Sequence, residues 1–360
     1  MTLRINILPE FHLSSNTSNE HFPLSRTLKL LRAIENLHNM KEASQSVGLS
    51  YRHAWNLIEQ AQSLFGGAIL ESVPGRGSGL TELGKKLVWA EKLTEARLGP
   101  LLESISSEIS EDIEALTRRT RRVLRLFASH GFAVALLNEF LNQRGIELDF
   151  NYRGSKESLD AFSRQICDIA GFHVPLGELE KPYLDLIKVP LPDDVRYIEL
   201  ARRNQGLIVA KNNPKSIHQI EDLARPEVLF VNRQPSSGTR LTLDMLLRKH
   251  RLSTNSIKGY GNTEYTHAAV GAYIASGKAD VGLGVETAAK QFDLDFIPLY
   301  TERYFYLCNE SLLSDNRFTP ILALLYDRDF LEAMGHLTGY SAEHTGRITG
   351  PNDTFTDSHD

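Results

Sequence analysis

The chain is poor in cysteine and in long apolar runs, and each shortage excludes a class of protein. Two cysteines among 360 residues, Cys167 and Cys308, cannot form a dense disulfide framework and indicate a reducing compartment. No apolar run approaches the about 18 residues of a membrane span. The N-terminus lacks the basic start and unbroken apolar stretch of a signal peptide. We therefore expect a cytoplasmic protein with no membrane partner.

Motifs of catalysis and metal binding are missing as well. The sequence contains no H-E-x-x-H, no paired C-x-x-C and no G-x-S-x-G. It therefore predicts neither a dedicated zinc site nor a serine-nucleophile elbow. The glycines around Arg76 have no β-α-β unit beside them and do not make a dinucleotide fingerprint. We expect no enzyme, no catalytic residue, no metal and no cofactor.

Net charge is small and unevenly spread. The chain carries −5 in all, of which residues 1–100 contribute +2 and the remainder −7. Apolar residues make up 41% and charged residues 24%, an ordinary globular profile at a length that suits two domains. The slight positive charge of residues 1–100 is compatible with nucleic-acid binding but does not establish it, so that function has to be argued from sequence motifs.

The first hundred residues combine short helices with a glycine-rich hairpin. Apolar residues recur at helical spacing from Ser25, a short helix starts near Met40, and Gly48 permits the tight turn after it. Ser50 can cap a third helix that runs to Phe65, and a Pro-Gly-Arg-Gly-Ser-Gly tip then joins two short strands. This order describes a winged helix-turn-helix.

The third helix is the predicted DNA reader, because a recognition helix contacts base edges with its N-terminal residues. Arg and Asn pair with guanine and adenine edges, and Lys contacts phosphate oxygens. A plain three-helix module with solvated polar faces explains the same pattern and stays open. The DNA-binding candidates are Ser50, Tyr51, Arg52, His53, Asn56, Arg76, Lys85 and Lys86.

Beyond the wing, a helical pattern runs from Thr81 to about residue 109, and we expect Gly99-Pro100 to kink or break it. After Arg118, strands alternate with helices, which indicates an α/β architecture with mostly parallel pairing. Two sheets are expected rather than one. A strand is predicted over 184–189, and the polar residues 345–360 are predicted to be a flexible tail.

Four segments lie where a predicted strand ends and a helix begins, which is where open α/β sheets bind ligands. Free N–H groups and the helix dipole at such junctions favour an anion. Serine and glycine are also ordinary caps, so each junction alone is weak. The junctions are Ser129-His130-Gly131, Gly154-Ser155, Gln234 to Arg240, and Thr266-His267.

The stretch from Lys41 to Thr81 resembles the DNA-binding domain of ModE-type molybdate regulators, relatives of the LysR-type regulators. The recognition helix GLSYRHAWNLIEQ and the wing GRGSGLTELG carry the resemblance, which spans roughly residues 25–110. It implies a homodimer built by the first and linker helices, with Leu83, Leu87 and Leu93 on the dimer face. Packing of these leucines on the domain's own core stays open, as does pairing of dimers into tetramers.

Residues 120–340 resemble a cytoplasmic molybdate-binding domain of the periplasmic-binding-protein type. The segments FVNRQPSSGTR, THAAVGAYIASGKADVGLGVE and DIAGFHVP carry this resemblance. It implies a type II fold of two α/β lobes, lobe I over about 119–201 and 302–340 and lobe II over about 202–301, with the ligand in the cleft between them.

The resemblance and the junctions together give the cleft candidates. Arg240 could offer a bidentate charge to an anion or act as a structural cap. His267 could donate to the ligand or cap its helix, and Tyr304 could lend a phenolic donor. The candidates are Ser129, His130, Gly154, Ser155, Ser237, Gly238, Thr239, Arg240, Thr266, His267 and Tyr304.

The sequence thus predicts an α/β protein with a winged-helix N-terminal domain. Its expected parts are a DNA-binding domain (1–80), a linker and dimerisation helix (81–117), a two-lobed effector domain (118–344) and the tail. The expected function is a transcriptional regulator that binds a pseudo-palindromic operator and senses molybdate or tungstate. Formate or another small anion is the alternative effector. A molybdenum-cofactor-related binding protein or enzyme and a solute-transport component are the alternatives from other classes.

Overall fold

The computed structural model describes residues 5–14, 21–73, 77–117 and 123–355. Contacts among these residues divide the chain into two compact units. The N-terminal unit lies within residues 7–99, and the second unit, which we call the sensor unit, lies within residues 100–355 together with residues 5 and 6.

The N-terminal unit contains three short helices, two short hairpins and the start of a long helix. The elements are β1 (His12–Ser14), β2 (His21–Pro23), α1 (Ser25–Leu37), α2 (Met40–Ser46), α3 (Tyr51–Phe65), β3 (Leu70–Val73), β4 (Gly77–Leu80) and α4 (Glu82–Thr117).

Apolar faces of these helices form one core, to which Leu31, Ile34, Ala54 and Ile58 contribute fully buried side chains. The cap at the start of α3 forms as predicted, since the Ser50 hydroxyl accepts from the His53 N–H at 3.2 Å. The helix-turn-helix with its hairpin is therefore present.

A kink or a break was predicted at Gly99-Pro100; helix α4 runs unbroken through both residues, so a break there is wrong and a kink stays a prediction. Proline removes one N–H bond and crowds the Cβ of the residue before it, and Gly99 has no Cβ to be crowded. The boundary between the two units nevertheless falls at this point of the helix.

The sensor unit alternates strands and helices. Its strands are β5 (Leu124–Ala128), β6 (Leu148–Tyr152), β7 (Ile169–Pro175), β8 (Val195–Val209), β9 (Phe230–Arg233), β10 (Thr263–Glu264), β11 (Val281–Val285), β12 (Asp295–Asn309), β13 (Tyr340–Ser341) and β14 (Ile348–Thr349). Its helices after α4 are α5 (Phe132–Gln143), α6 (Ser155–Ser163), α7 (Glu180–Ile187), α8 (Gly238–Lys249), α9 (His267–Ala275), α10 (Glu286–Gln291), α11 (Thr319–Leu324), α12 (Arg328–Gly335) and α13 (Pro351–Thr354).

Two long antiparallel strands, β8 and β12, join the two lobes. The strand order is β10-β9-β11-β8-β12-β7-β5-β6. The C-terminal part of β8 pairs with β11 in lobe II, and the C-terminal part of β12 pairs with β7 in lobe I. The predicted fold class, a winged helix followed by a two-lobed α/β unit, is confirmed. The expectation of two separate sheets is wrong, because the lobes share these two strands.

Two local predictions are also wrong. The predicted strand over 184–189 falls mostly on helix α7, because Tyr183 and Ile187 are buried one helical turn apart. The predicted flexible tail is ordered up to Phe355: β14 pairs with β8, and the Phe355 ring packs edge-on against Tyr197. Residues 356–360 lie outside the described part of the chain. Among the described residues, no helix has both the length and the apolar character needed to cross a membrane.

Candidate anion-binding cleft and DNA-facing helix

A cavity of about 200 Å³ lies between the two lobes of the sensor unit. Helices α5 and α6 of lobe I and helices α8 and α9 of lobe II all begin at or beside its wall, each after a strand of the shared sheet. The four predicted junctions therefore meet at one place. The predicted residues that line the cavity are Ser129, His130, Gly154, Ser237, Gly238, Thr239 and His267.

Three predicted residues lie behind the wall and hold it in place. The Ser155 hydroxyl is 3.2 Å from Nδ1 of His173. The Thr266 hydroxyl caps α9 by accepting from the Ala269 N–H. The Tyr304 hydroxyl lies 3.3 Å from the hydroxyl of Ser129.

Arg240 does not line the cavity. Its guanidinium lies 3.9 Å from the ring centroid of Tyr260 and 3.4 Å from the Asp244 carboxylate. One helical turn separates Arg240 from Asp244, so the charge is neutralised within α8. The structural alternative is therefore the one that the geometry favours.

The cavity also contains residues that the sequence patterns did not single out. Leu101 and Ser104 come from helix α4, and the others come from the lobes. The lobe residues are Tyr152, Arg153, Glu157, His173, Arg203, Arg233, Gln234, Ser236 and Tyr265.

Arg203 is a buried arginine with a buried partner. Its Nε donates to Oε1 of Glu302 at 2.5 Å, and both side chains are almost fully inaccessible. Burial opposes both charges, but each partner favours the other's charged form. The pKa of Arg203 is therefore raised, and the pKa of Glu302 is lowered. The pair contributes no net charge to the cavity.

Arg233 lines the cavity and forms no salt bridge with a carboxylate of the described residues. It is 5% exposed. Its Nη2 donates to the carbonyl of Tyr265 at 2.8 Å, and no carboxylate of the described residues lies within salt-bridge distance of its guanidinium. Burial and the neighbouring Arg203 charge lower the pKa of Arg233 to about 9, so the guanidinium stays charged at neutral pH. A buried unpaired cation is costly, and a bound anion would offset that cost.

Two buried histidines stand beside these arginines. Burial lowers the pKa of His173 to about 4, and burial together with the Arg233 charge lowers the pKa of His267 well below its ordinary value. Among the described residues, His173 Nε2 and His267 Nδ1 have no hydrogen-bond partner. Neutral imidazoles with an open nitrogen can donate to an anion while adding no charge of their own.

Close approaches hold the two sides of the cavity together. A Cβ added at Gly238, at the start of α8, would collide with Nε2 of His173 and the hydroxyl of Tyr183. A Cβ at Gly154 would lie 2.5 Å from the carbonyl oxygen of Ser236 in the opposite lobe. Glycine at both positions therefore lets the lobes close around the cavity.

The chemistry of this wall suits an anion. Helices α5 and α8 have no side-chain cap at their first residues, so backbone N–H groups there are available to a ligand, whereas at α6 the Glu157 carboxylate accepts from the Gly154 N–H at 2.9 Å. The charge of Arg233 adds to them. His130 stacks on Tyr152 with ring centroids 3.5 Å apart and supplies a flat aromatic wall. No group of three or more histidine, cysteine or acidic side chains among the described residues is placed to hold a metal ion.

The sensor unit is expected to lose stability as the pH falls. His173 and His267 are neutral when folded, while an unfolded histidine is protonated below about pH 6.5. Protonation therefore favours the unfolded state, and stability should fall between about pH 6.5 and pH 4, on the order of 1 kcal/mol per pH unit for each histidine. Denaturant unfolding followed by circular dichroism at pH 7 and pH 5 measures this. His173→Asn should reduce the difference in unfolding free energy between pH 7 and pH 5. The same difference in the variant and the natural protein would contradict the assignment to His173.

In the N-terminal unit, the predicted reader residues of α3 are exposed. The apolar face of the helix is buried through Ala54 and Ile58, which leaves its first two turns open on the other side. Lys85 pairs with the Glu82 carboxylate at 2.7 Å, and Lys86 Nζ lies 4.0 Å from the Trp89 ring centroid. Arg76 lies outside the described residues. The exposed candidates are Ser50, Tyr51, Arg52, His53, Asn56, Lys85 and Lys86.

Two of the leucines that were predicted to lie on a dimer face are not exposed. Leu83 and Leu87 pack against the core of their own unit, so the alternative left open for them is the one that the structure favours. The exposed apolar side chains of α4 lie further along the helix, at Leu98, Leu101 and Ile109 among others.

Comparison with known proteins places most of the sensor unit in a family. The PBP superfamily domain matches residues 137–326. The uncharacterized protein YvgK of Bacillus subtilis is 33% identical over 203 residues, 55% of this chain and 64% of its own length. The molybdenum transport protein ModE of Herbaspirillum seropedicae is 39% identical over 72 residues, 20% of this chain and 27% of its own length. The chain thus spans less than two thirds of either relative.

Among solved structures, a mutant of Corynebacterium glutamicum OxyR with bound H2O2 matches 87% of this chain and 94% of its own. The TM-score is 0.43 and the identity 13%. A likeness at this level says nothing about function.

Proposed function

Since the chain belongs to the PBP superfamily over residues 137–326, we propose that it is a DNA-binding transcriptional regulator whose sensor unit binds a small anion in the inter-lobe cleft. The observation that carries this proposal is the charge of Arg233, which forms no salt bridge within the described part of the chain and is buried where several helices begin. The same chain carries a winged helix with an exposed polar reader face. A ligand that binds one closed arrangement of the lobes more tightly than others would shift their equilibrium.

On the DNA side, the proposal rests on the first two turns of α3. Arg52 and Asn56 are exposed on the face opposite the buried Ala54 and Ile58. A guanidinium and an amide at these positions match the edges of guanine and adenine in a major groove. We assign contacts with phosphate oxygens to Lys85 and Lys86, which are exposed just after the hairpin.

For the effector, we favour molybdate or tungstate. The relative named a molybdenum transport protein supports this choice, as does the buried guanidinium of Arg233, with which a small oxyanion would pair. Formate or another small carboxylate is the second candidate, because the cavity of about 200 Å³ and the stacked His130–Tyr152 wall also suit an organic anion. Titration calorimetry with molybdate, tungstate, sulfate and formate discriminates between them. Heat from formate alone would reject the molybdate assignment, and no binding of any of the four would reject the effector proposal.

A homodimer is part of the proposal. Helix α4 exposes large apolar side chains in the monomer at Leu98, Ile109 and Ile113. The first two are about three helical turns apart and the last two about one turn apart, so all three lie on one side of the helix. Exposed apolar side chains in such a row mark an interaction surface. Replacing Leu98 and Ile109 together by lysine should convert dimers to monomers in analytical ultracentrifugation.

Arg52→Ala should weaken binding to operator DNA while leaving the response of the sensor unit unchanged. Losing one guanidinium contact to a base edge costs about 1–3 kcal/mol, which is roughly a 5- to 150-fold loss of affinity. A gel shift on the protein's own upstream DNA at fixed salt measures this.

Arg32→Ala is the matched control, because Arg32 pairs with Glu95 on another helix of the same unit and the charge removed is the same. Trp55 and Trp89, the only tryptophans, both lie in the N-terminal unit, so their fluorescence checks that each variant of this unit is folded. Equal losses for the two arginine variants would mean that only overall charge matters. Absence of salt-sensitive, sequence-selective binding by the natural protein would reject the regulator.

A further inference from the structure

Helix α4 forms part of the cavity wall. Leu101 and Ser104 line the cavity, although they belong to neither the sheet nor the helices of the lobes. Residues 100–117 of this helix cluster with the sensor unit, whereas residues 82–99 cluster with the N-terminal unit. One unbroken helix therefore contributes residues to the cavity and to the unit that carries the winged helix.

Two contacts hold this part of α4 on lobe I. The Ser107 hydroxyl donates to the carbonyl of Phe150 on β6 at 2.5 Å, in a buried position. The Glu108 carboxylate accepts from Nη1 of Arg153 at 2.9 Å, and Arg153 itself lines the cavity. Helical spacing places residues 101, 104 and 108 on one face. The face of α4 that is bound to lobe I is therefore also the face that lines the cavity.

We infer that Leu101 and Ser104 contact the effector, so that the ligand is held directly against the helix that continues into the N-terminal unit. This inference rests on the proposed effector site. Ser104 presents a hydroxyl beside the cationic wall, and Leu101, 40% exposed, presents apolar surface that a ligand would cover. Binding then strengthens the attachment of α4 to lobe I by the free energy of these contacts, and effector occupancy needs no relay through the lobes to reach the helix.

The inference is tested by placing a thiol at the wall. Cys167 and Cys308 are buried, and burial raises the pKa of each thiol to about 12, so the natural protein gives little background reaction. Ser104→Cys is treated with an anionic and with a cationic methanethiosulfonate reagent at low salt. The quantity compared is the rate with the anionic reagent divided by the rate with the cationic reagent. Because the cationic wall attracts anions, we expect this ratio to be about tenfold or more higher at position 104 than at a control thiol.

Leu186→Cys provides the control, because Leu186 is exposed on helix α7 of the sensor unit and does not line the cavity. Adding Arg233→Gln to Ser104→Cys should remove the anionic preference. Leu101→Cys is the second cavity variant and should behave as Ser104→Cys does. The same charge preference at positions 104 and 186, or a preference at 104 that survives Arg233→Gln, would overturn the inference.

Protection by ligand separates this inference from the proposed effector. Molybdate that binds by calorimetry should slow modification at position 104 and leave the modification rate at position 186 unchanged. Binding without protection at 104 would overturn the contact with α4 while the effector proposal stands. A charge preference at 104 with no protection by molybdate, tungstate, sulfate or formate would reject those effectors while the placement of α4 at the cationic wall stands.

Discussion

Replacing Arg233 by glutamine is expected to lower the affinity for the effector anion by roughly 30-fold or more. Arg233 is the cavity's buried charge without a carboxylate partner among the described residues, and truncating one partner of a buried charge pair costs about 2–5 kcal/mol. Titration calorimetry with molybdate measures the change. The stability of the unliganded protein should hold or rise, because the substitution removes an unpaired buried cation.

Arg240→Gln is the matched control for this result. Arg240 lies in the neighbouring segment of lobe II, but its guanidinium stacks on Tyr260 and pairs with Asp244 outside the cavity. Its replacement should leave anion affinity within about twofold, because its charge is paired with Asp244 within α8 and does not line the cavity. Loss of binding in Arg240→Gln, with Arg233→Gln unaffected, would reverse the assignment of the two arginines.

Glu302→Gln is expected to destabilise the sensor unit by about 3–5 kcal/mol, because it leaves the charge of Arg203 buried without its partner. For a unit of this size, each kcal/mol lowers Tm by about 2–4 °C. Differential scanning calorimetry measures the change. The variant cavity carries one more positive charge, so saturating anion should restore part of the lost stability, about 2.7 kcal/mol at a hundredfold excess over Kd.

Glu310→Gln is the comparison for this second result. Glu310 also pairs with an arginine, Arg196, at 2.6 Å, but its side chain is 57% exposed. An exposed pair contributes at most about 1 kcal/mol. Similar losses in the two glutamate variants would mean that burial does not govern the Arg203–Glu302 pair, and a loss in Glu302→Gln that excess anion does not reduce would contradict the predicted gain in cavity charge.

The positions of the helix starts followed from local sequence. The predicted residues that line the cavity each follow a strand of the shared sheet: Ser129-His130, Gly154, Ser237 to Thr239 and His267. Their positions could be predicted because strand and helix periodicities can be recognised from a few consecutive residues. The cap at Ser50 and the exposed face of α3 followed for the same reason.

The direction of the side chains within those segments could not be predicted from the local sequence. Arg240 was the arginine next to the predicted junction, yet it faces Tyr260, while Arg233 in strand β9 faces the cavity. Sequence periodicity predicts which residues share a face of a helix or strand. It does not predict which residue pairs with a charged side chain, because that partner can come from an element far away in the sequence. Arg203 and Glu302 meet only because β8 and β12 pair across 99 residues.

The sequence by itself determined the kind of protein: helices, a glycine-rich hairpin and alternating strands and helices, with strand-to-helix junctions suited to an anion. Only the tertiary structure decided which charged side chains line the cavity and that helix α4 reaches it. The physical reason is that propensity, periodicity and capping act over a turn or two of chain. Burial, charge pairing and the pKa values of His173 and Arg233 arise instead from residues that folding alone brings together.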